Sequence, residues 1–96
     1  MFIVLLEFSA AKDRASEFME GHKEWLERGF ADGVFLLAGS LEPGRGGGIL
    51  ANHTSLTDLQ CRVKDDPFLA ENIVTAEILE ISPSRAIEPL TFLLQQ

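Results

Sequence analysis

The stretch that decides the fold is FIVLLEF, residues Phe2–Phe8, near the start of the 96-residue chain. Its β-branched and aromatic residues favour a β-strand. Because successive side chains of a strand point to opposite faces, the even-numbered positions form one face, and Ile3 and Leu5 lie on the other. Both faces are apolar, so we expect both faces of the sheet that contains this strand to be covered.

From this strand onward, apolar runs alternate with segments of helical periodicity. The predicted elements are a helix from an Asp13 N-cap to about Phe30, a strand over Val34–Leu41, a short strand over Ile49–His53, a short helix capped by Ser55 or Thr57, a turn or further helical turn at Asp65–Phe68, and a last strand over Ile73–Ile81. The segment Glu42–Gly48 is rich in glycine and is predicted to be a flexible hairpin tip. The order of strands and helices predicts an α+β, ferredoxin-like βαββαβ fold with an antiparallel sheet.

The predicted first helix has one apolar side. Its stripe has the i, i+3, i+4 spacing of a helix that packs on one face, and consists of Ala15, Phe18, Met19, Leu26 and Phe30. His22 falls on this stripe, whereas Trp25 lies off it, where it would cover the helix edge or an interface. Cys61, on the second helix, is predicted to be a small core residue.

Size and charge narrow the classes of function. Ninety-six residues suit one domain, 1–96, in which residues 82–96 form a C-terminal extension. The formal net charge of −7 disfavours nucleic acid and anionic membrane surfaces as partners. No apolar run approaches the ~20 residues that span a bilayer, and Met1–Leu6 lacks the flanks of a signal peptide. The single cysteine agrees with a cytoplasmic location.

The predicted sheet also indicates a partner. A ferredoxin-like fold packs both helices on one face of the sheet, and 46% hydrophobic residues are more than that face can hide. Soluble monomers avoid an exposed apolar patch of several hundred Å². We therefore expect a homodimer with the two sheets packed face to face. The alternative is that Leu90–Leu94 folds across the bare face or swaps onto the partner.

Two residues are candidates for proton transfer. His22 is either a core histidine with satisfied nitrogens or an imidazole that the helix presents to a cleft, where it could move a proton near neutral pH. Asp66 precedes Pro67, and this pair is typical of a helix N-cap and first position. Alternatively, the Asp66 carboxylate accepts the His22 N–H and fixes the ring tautomer. The two roles are compatible, since each carboxylate oxygen can take a different donor.

Other polar residues carry weaker signals. Ser40 is either a solvated serine at a strand end or a hydroxyl at a pocket, and Gly39 before it allows close approach of a ligand or a strand. Acyl transfer would need Ser40 beside His22, and the chain lacks the Gly-x-Ser-x-Gly elbow. The glycine segment lacks the lysine of a phosphate loop. His53 and Asp58 do not have the spacing of a metal site, so we predict no metal.

Three segments resemble a known family. Gly21–Leu26 (GHKEWL) resembles its helix motif, Gly33–Gly39 (GVFLLAG) its Gly-flanked strand, and Asp66–Phe68 (DPF) its Asp-Pro-Phe/Tyr motif. Together, their order and spacing resemble the YciI-like (YCII-related) family of the dimeric α+β barrel superfamily. The resemblance extends from Met1 to about Ile81.

The resemblance implies a ferredoxin-like protomer that dimerises into a barrel and needs no cofactor. It implies His22 and Asp66 as the active-site pair, and we predict Ser40, Gly39 and Phe68 to be ligand-binding residues. One branch of the family looks like a dehydrochlorinase of a chlorinated hydroxyquinol, and related barrels isomerise lactones or oxidise quinols. Ser40 departs from the family, whose usual Ala-Gly-Pro has proline at this position, so a rigid turn becomes a hydroxyl at the pocket rim.

Two functional hypotheses follow. In the first, the chain is a lyase or isomerase that transfers a proton on a small aromatic or enol-type substrate, with His22 as general base and Asp66 as its orienting group. The acidic chain favours neutral or phenolic substrates over anionic ones. In the second, it is a non-catalytic module that binds a small ligand or accompanies another enzyme as an accessory dimer.

Overall fold

The computed structural model of the protein describes residues 1–94. Its elements are β1 (Phe2–Phe8), a 3-10 turn (Lys12–Arg14), α1 (Ala15–Ala31), β2 (Phe35–Leu41), β3 (Gly46–Ala51), α2 (Leu56–Lys64), α3 (Pro67–Ala70), β4 (Val74–Glu80) and a second 3-10 segment (Glu88–Leu94). Residues 1–94 form a four-stranded antiparallel sheet in the order β2-β3-β1-β4. The predicted α+β, ferredoxin-like fold is therefore confirmed. The last two residues of the predicted 82–96 extension lie outside the described residues.

The central strand β1 organises the core. Val4 pairs with Ile49 of β3 and Ile78 of β4, so these three side chains point to the same face of the sheet. We call this the inner face, because the helices cover it. As predicted, the even-numbered positions of β1 lie on it, and Phe2 and Leu6 are buried there with Val4.

The helices begin partly where the sequence predicts. Ser55 is the N-cap of α2, as expected, and its hydroxyl accepts a backbone N–H of the first turn. Asp13 is not the N-cap of α1, which starts at Ala15 after a 3-10 turn, and no side chain within residues 1–94 caps it. The prediction for Cys61 is also wrong: it is exposed, because Leu59 occupies the buried side of α2. None of the helices in the described part of the chain is long and apolar enough to cross a membrane.

The predicted stripe of α1 is confirmed in part: Ala15, Phe18 and Leu26 pack against the core, but the buried side also includes positions outside the stripe. Trp25 is 1% exposed and Gly29 is buried, whereas Met19 is 36% and Phe30 43% exposed. The prediction that Trp25 lies off the packed side is therefore wrong. The physical reason is Gly29, where a side chain would collide with the ring of Phe35. Because Gly29 has no side chain, the helix packs directly on Phe35, and Trp25, one turn earlier, also packs on this ring, with the ring centroids 5.1 Å apart.

Only the last part of the glycine segment is a strand: residues 42–45 form the turn of the β2–β3 hairpin, as predicted, and the glycines that follow belong to β3. Gly46–Gly48 opens β3 and pairs with β1 on one side and β2 on the other, with Gly47 opposite both Leu6 and Ser40. The third strand therefore begins earlier than predicted and ends at Ala51. The backbone pairing on two sides stabilises the strand, although glycine has a low strand propensity.

The second face of the sheet, which we call the outer face, carries apolar residues as expected. They include Ile3, Leu5, Leu37, Leu41, Leu50 and Leu79. Leu37 is 61% and Leu79 42% exposed. The C-terminal segment, as far as residue 94, leaves these two side chains uncovered, so the alternative in which it folds across this part of the face does not hold in the protomer.

Candidate active site

The site is built on a contact between α1 and the start of α3. His22 Nδ1 lies 2.8 Å from Asp66 Oδ1, which joins residues 44 positions apart in the chain. The Asp66 side chain is fully buried, and the His22 side chain is 15% exposed. An ionised carboxylate can only accept hydrogen bonds, so Nδ1 carries the proton in this contact. The lone pair of the neutral ring is then on Nε2.

Asp66 is also the N-cap of α3. Its Oδ1 accepts the backbone N–H of Phe68 at 3.0 Å, and Pro67 occupies the first position of the helix. Both predicted contacts of Asp66 are present, but they fall on one oxygen and not on two. The other oxygen, Oδ2, is buried and has no hydrogen-bond partner within residues 1–94. The carboxylate cannot rotate without losing the cap and the histidine contact together.

Two aromatic rings hold the imidazole in place. The rings of His22 and Phe68 are stacked, with centroids 4.1 Å apart and planes within 6°. Trp25 stacks on His22 at 5.8 Å, and its Nε1–H donates to the backbone oxygen of Arg62 at 2.8 Å. These contacts fix the plane of the imidazole. The sequence did not predict this role for Trp25, although its spacing of three residues from His22 places the two on one side of a helix.

His22 lines a cleft of about 430 Å³ between the helices and the inner face of the sheet. This volume lies in the range of small-molecule sites. The apolar side chains that line it are Leu6, Phe8, Met19, Leu26, Ala38, Ile49, Phe68 and Val74. The polar side chains are few, namely His22, Lys23, Ser40 and Glu42. Such a cleft suits a mostly apolar guest with a small number of polar groups.

The predicted site residues meet at this cleft. Ser40 is exposed, lies on the inner face near the end of β2 and lines the cleft with Phe68 and the backbone of Gly39. Asp66 lies behind His22, in contact with it. Residues 1–94 hold no group of three His, Cys, Asp or Glu side chains positioned to bind a metal ion.

The hairpin between β2 and β3 forms one rim of the cleft and is tied to β1. Lys12 Nζ donates to the backbone oxygen of Gly44 at 3.1 Å and lies 5.1 Å from the ring centre of Phe8. Phe8 N–H donates to the backbone oxygen of Arg45 at 2.9 Å, and Arg45 Nη2 reaches Glu7 Oε2 at 3.4 Å. The hairpin is thus held at a defined distance from the rest of the cleft.

Comparison with known proteins gives a similarity of fold. No family model matches the chain, and no curated protein matches it. A solved structure with a similar fold is 5-chloro-2-hydroxyhydroquinone dehydrochlorinase from Burkholderia phenoliruptrix AC1100, in complex with 2,5-dihydroxybenzoquinone. The TM-score is 0.69 at 13% sequence identity, over 84% of this chain and 93% of that one. The two chains therefore share a fold.

Proposed function

We propose that this chain is a cofactor-independent enzyme that transfers a proton in an elimination or isomerisation of a small aromatic or enol-type substrate. The observation that carries the proposal is the 2.8 Å contact of His22 Nδ1 with buried Asp66, at the wall of a mostly apolar cleft. This contact leaves Nε2 as the ring nitrogen that can accept a proton from a guest. The name of the structurally similar dehydrochlorinase supports a reaction of this class.

In the proposed reaction, His22 Nε2 takes a proton from a C–H or O–H bond of the substrate. The electron pair of that bond forms a double bond. In an elimination, the leaving group departs with the electron pair of its own bond, and the imidazolium then releases its proton to water. In an isomerisation, the imidazolium returns the proton at another carbon. The Asp66 carboxylate stabilises the imidazolium and holds its orientation. General base catalysis of this kind supplies roughly 10²–10⁴-fold in rate.

The remaining predicted residues would bind the substrate. The Ser40 hydroxyl can donate to or accept from a ring oxygen, the ring of Phe68 offers an apolar wall, and the backbone of Gly39 lines the rim. Lys23 and Glu42 also line the cleft and carry opposite charges, so the lining does not favour one sign of ligand charge. With a net charge of −7, the protein favours neutral or phenolic substrates.

The test is turnover of hydroquinones and chlorinated hydroquinones by the purified protein, followed by ultraviolet absorbance and chloride release. We expect His22→Gln and Asp66→Asn each to lower the rate by about 10²–10⁴-fold, because each removes a part of the base. His53→Asn is the matched control: this second histidine is exposed and lines a different surface, and Asn tolerates its positive φ of 56°. Unchanged rates in the first two variants would rule out the proposed base.

One observation favours the alternative, a non-catalytic module that binds a small ligand or accompanies another enzyme. Asp66 Oδ1 caps α3 while it contacts His22, so the pair could serve only to join α1 to α3. In that case, His22→Gln would lower the free energy of unfolding, and the unmodified protein would bind hydroquinones without converting them. Turnover by the unmodified protein excludes this alternative.

We also propose that the chain forms a homodimer through the outer face of the sheet. The support is the exposure of Leu37 and Leu79 on a face that carries four further large apolar residues. A patch of this kind on a small protein is typical of an interface. A two-fold pair of protomers would bury both copies of the face.

Three further assignments belong to the proposal. Membership of the YciI-like family is supported by the meeting of its helix and Asp-Pro-Phe motifs at His22 and Asp66. A single domain over residues 1–96 is supported by one hydrophobic cluster that draws on β1, α1, α2 and β4. A cytoplasmic location is supported by the single, exposed cysteine, Cys61.

A further inference from the structure

The floor of the cleft contains a residue without a side chain. Gly47 lies in the middle of three strands, opposite Leu6 of β1 and Ser40 of β2. Its two partners both line the cleft, as does Gly47 itself. A side chain at this position would therefore point to the inner face, into the space that His22 borders.

Gly39 and Gly48 also line the cleft, but a side chain at either would point to the outer face. Two other glycines have a reason within the fold. At Gly29, a side chain would collide with the ring of Phe35. At Gly46, it would collide with the backbone oxygen of Leu6, and the φ of +140° disfavours any other residue. These glycines are required for close packing and for backbone conformation.

Gly47 has neither requirement. A Cβ built on it would meet one atom of the described chain within 4 Å, the backbone oxygen of Gly39 at 3.5 Å, which is ordinary van der Waals contact. Its φ is not among the positive values found at Gly33, Gly44 and Gly46. A glycine inside a strand lowers strand stability, and such a position often marks the close approach of a ligand.

We propose that Gly47 determines the size of the cleft, and that the planar ring of the ligand packs on the peptide group of Gly47, which no side chain covers. The ring would lie between the side chains of Leu6 and Ser40, and an oxygen substituent on the ring would be within reach of the Ser40 hydroxyl. A flat ring can contact a peptide plane closely, whereas a puckered ring cannot. The inference rests on the proposed function in one respect only, namely the expectation that the ligand is aromatic.

The proposal gives Gly47→Val a definite effect. The Cβ of the valine would meet only the backbone oxygen of Gly39, its side chain would extend into the floor of the cleft, and its strand propensity exceeds that of glycine. The fold should therefore be kept while the space for the ring is lost. Overpacking of a site by an isopropyl group corresponds to binding weaker by about tenfold or more.

The experiment is titration of the ¹⁵N-labelled protein with hydroquinone, and with trans-1,4-cyclohexanediol as the non-planar control, followed by NMR. We expect hydroquinone to shift the Gly47 resonances through its ring current, and the diol to leave them in place. Gly47→Val should bind hydroquinone about tenfold or more weakly. Gly48→Ala is the matched control, since its side chain points to the outer face, towards Leu41, and should leave binding unchanged.

The outcomes separate this proposal from the proposed function, because binding is measured without turnover. Hydroquinone binding by Gly47→Val with the affinity of the unmodified protein would overturn the proposal, as would an unshifted Gly47 resonance in the unmodified protein. If the diol shifts the Gly47 resonances as much as hydroquinone does, the proposed selectivity for a planar ring is wrong. If Gly47→Val does not fold, Gly47→Ala is titrated instead. An unchanged hydroquinone affinity in that variant would also overturn the proposal. Unchanged catalysis in His22→Gln would contradict the proposed base, but it would not contradict the proposed ligand contact at Gly47.

Discussion

Asp66 Oδ1 accepts the Nδ1–H of His22 at 2.8 Å and the backbone N–H of Phe68 at 3.0 Å. One atom therefore sets the tautomer of the imidazole and starts the helix that carries Phe68. Since Phe68 also stacks on the imidazole, the position and the plane of the ring depend on the same turn of chain. A substitution at Asp66 is expected to change folding and ligand chemistry to different degrees, according to the residue introduced.

We predict that Asp66→Ala lowers the free energy of unfolding by about 1–3 kcal/mol, because it removes a buried cap and leaves the His22 N–H without its acceptor. Asp66→Asn should cost less, since Asn is a good N-cap, although it should still lose the proposed catalysis. Urea unfolding measures both. Ser55→Ala removes the exposed cap of α2 and is the matched control, at about 1 kcal/mol or less. Equal losses in Asp66→Ala and Ser55→Ala would contradict a special role for the buried carboxylate.

The sequence identified His22 and Asp66 as residue types suited to proton transfer, and it offered their contact only as one of two alternatives for Asp66. Residue spacing cannot show that positions 44 apart meet, and the pairing followed from the resemblance of two short motifs to a family. The stacking of Phe68 and Trp25 on the imidazole was not predicted, because it depends on how α1 and α3 pack. Gly47 was missed because it was assigned to a loop, and its place opposite Ser40 appears only in the strand register.

Among the elements, α1 shows most clearly how packing overrides a sequence pattern. Its buried positions include Trp25 and Gly29, whereas the apolar pattern favoured Met19 and Phe30. Glycine carries no hydrophobic signal in a periodicity analysis, yet it permits the closest approach of a helix to a sheet. The strand β1, by contrast, was predicted with its bounds and its two faces, since alternation along a strand does not depend on such a contact.

We predict that Gly29→Ala lowers the free energy of unfolding by about 1–3 kcal/mol, because its Cβ would collide with the Phe35 ring and push α1 away from β2. The sign is opposite to that of helix propensity, which favours alanine over glycine by about 1 kcal/mol. Thermal and urea unfolding test it. The control is Ser16→Ala, at an exposed position of the same helix, which should stabilise by a few tenths of a kcal/mol. A stabilised Gly29→Ala would show that the helix can shift at no cost.

For the whole molecule, the sheet divides the protein into two unlike sides. The inner face holds the core and the cleft, and the outer face presents aliphatic side chains, of which Leu37 is 61% exposed. The hydrophobic composition indicated this excess of apolar surface, but it did not indicate whether the C-terminal segment covers it. That segment has its own exposed apolar residues, and Ile87 is 71% exposed. Two surfaces could therefore mediate self-association, and they can be separated by substitution.

We predict that Leu37→Lys converts a dimer into monomers, because it places an unpaired charge on the outer face, at the edge strand β2, where burial of an isolated ammonium in an interface is strongly unfavourable. Sedimentation velocity over a range of protein concentrations measures the mass. The unmodified protein should sediment at twice the mass of one chain, and Ile87→Lys, the matched control at an exposed aliphatic residue of the C-terminal segment, should do the same. Dissociation by Ile87→Lys and not by Leu37→Lys would assign the interface to the C-terminal segment. A monomeric unmodified protein at all concentrations would contradict the dimer.

Because Gly39 lies on the outer face beside Leu37 while its backbone lines the cleft, a dimer through this face would also bring the partner close to the rim of the site. Ligand affinity in Leu37→Lys therefore measures how far the cleft depends on the second copy.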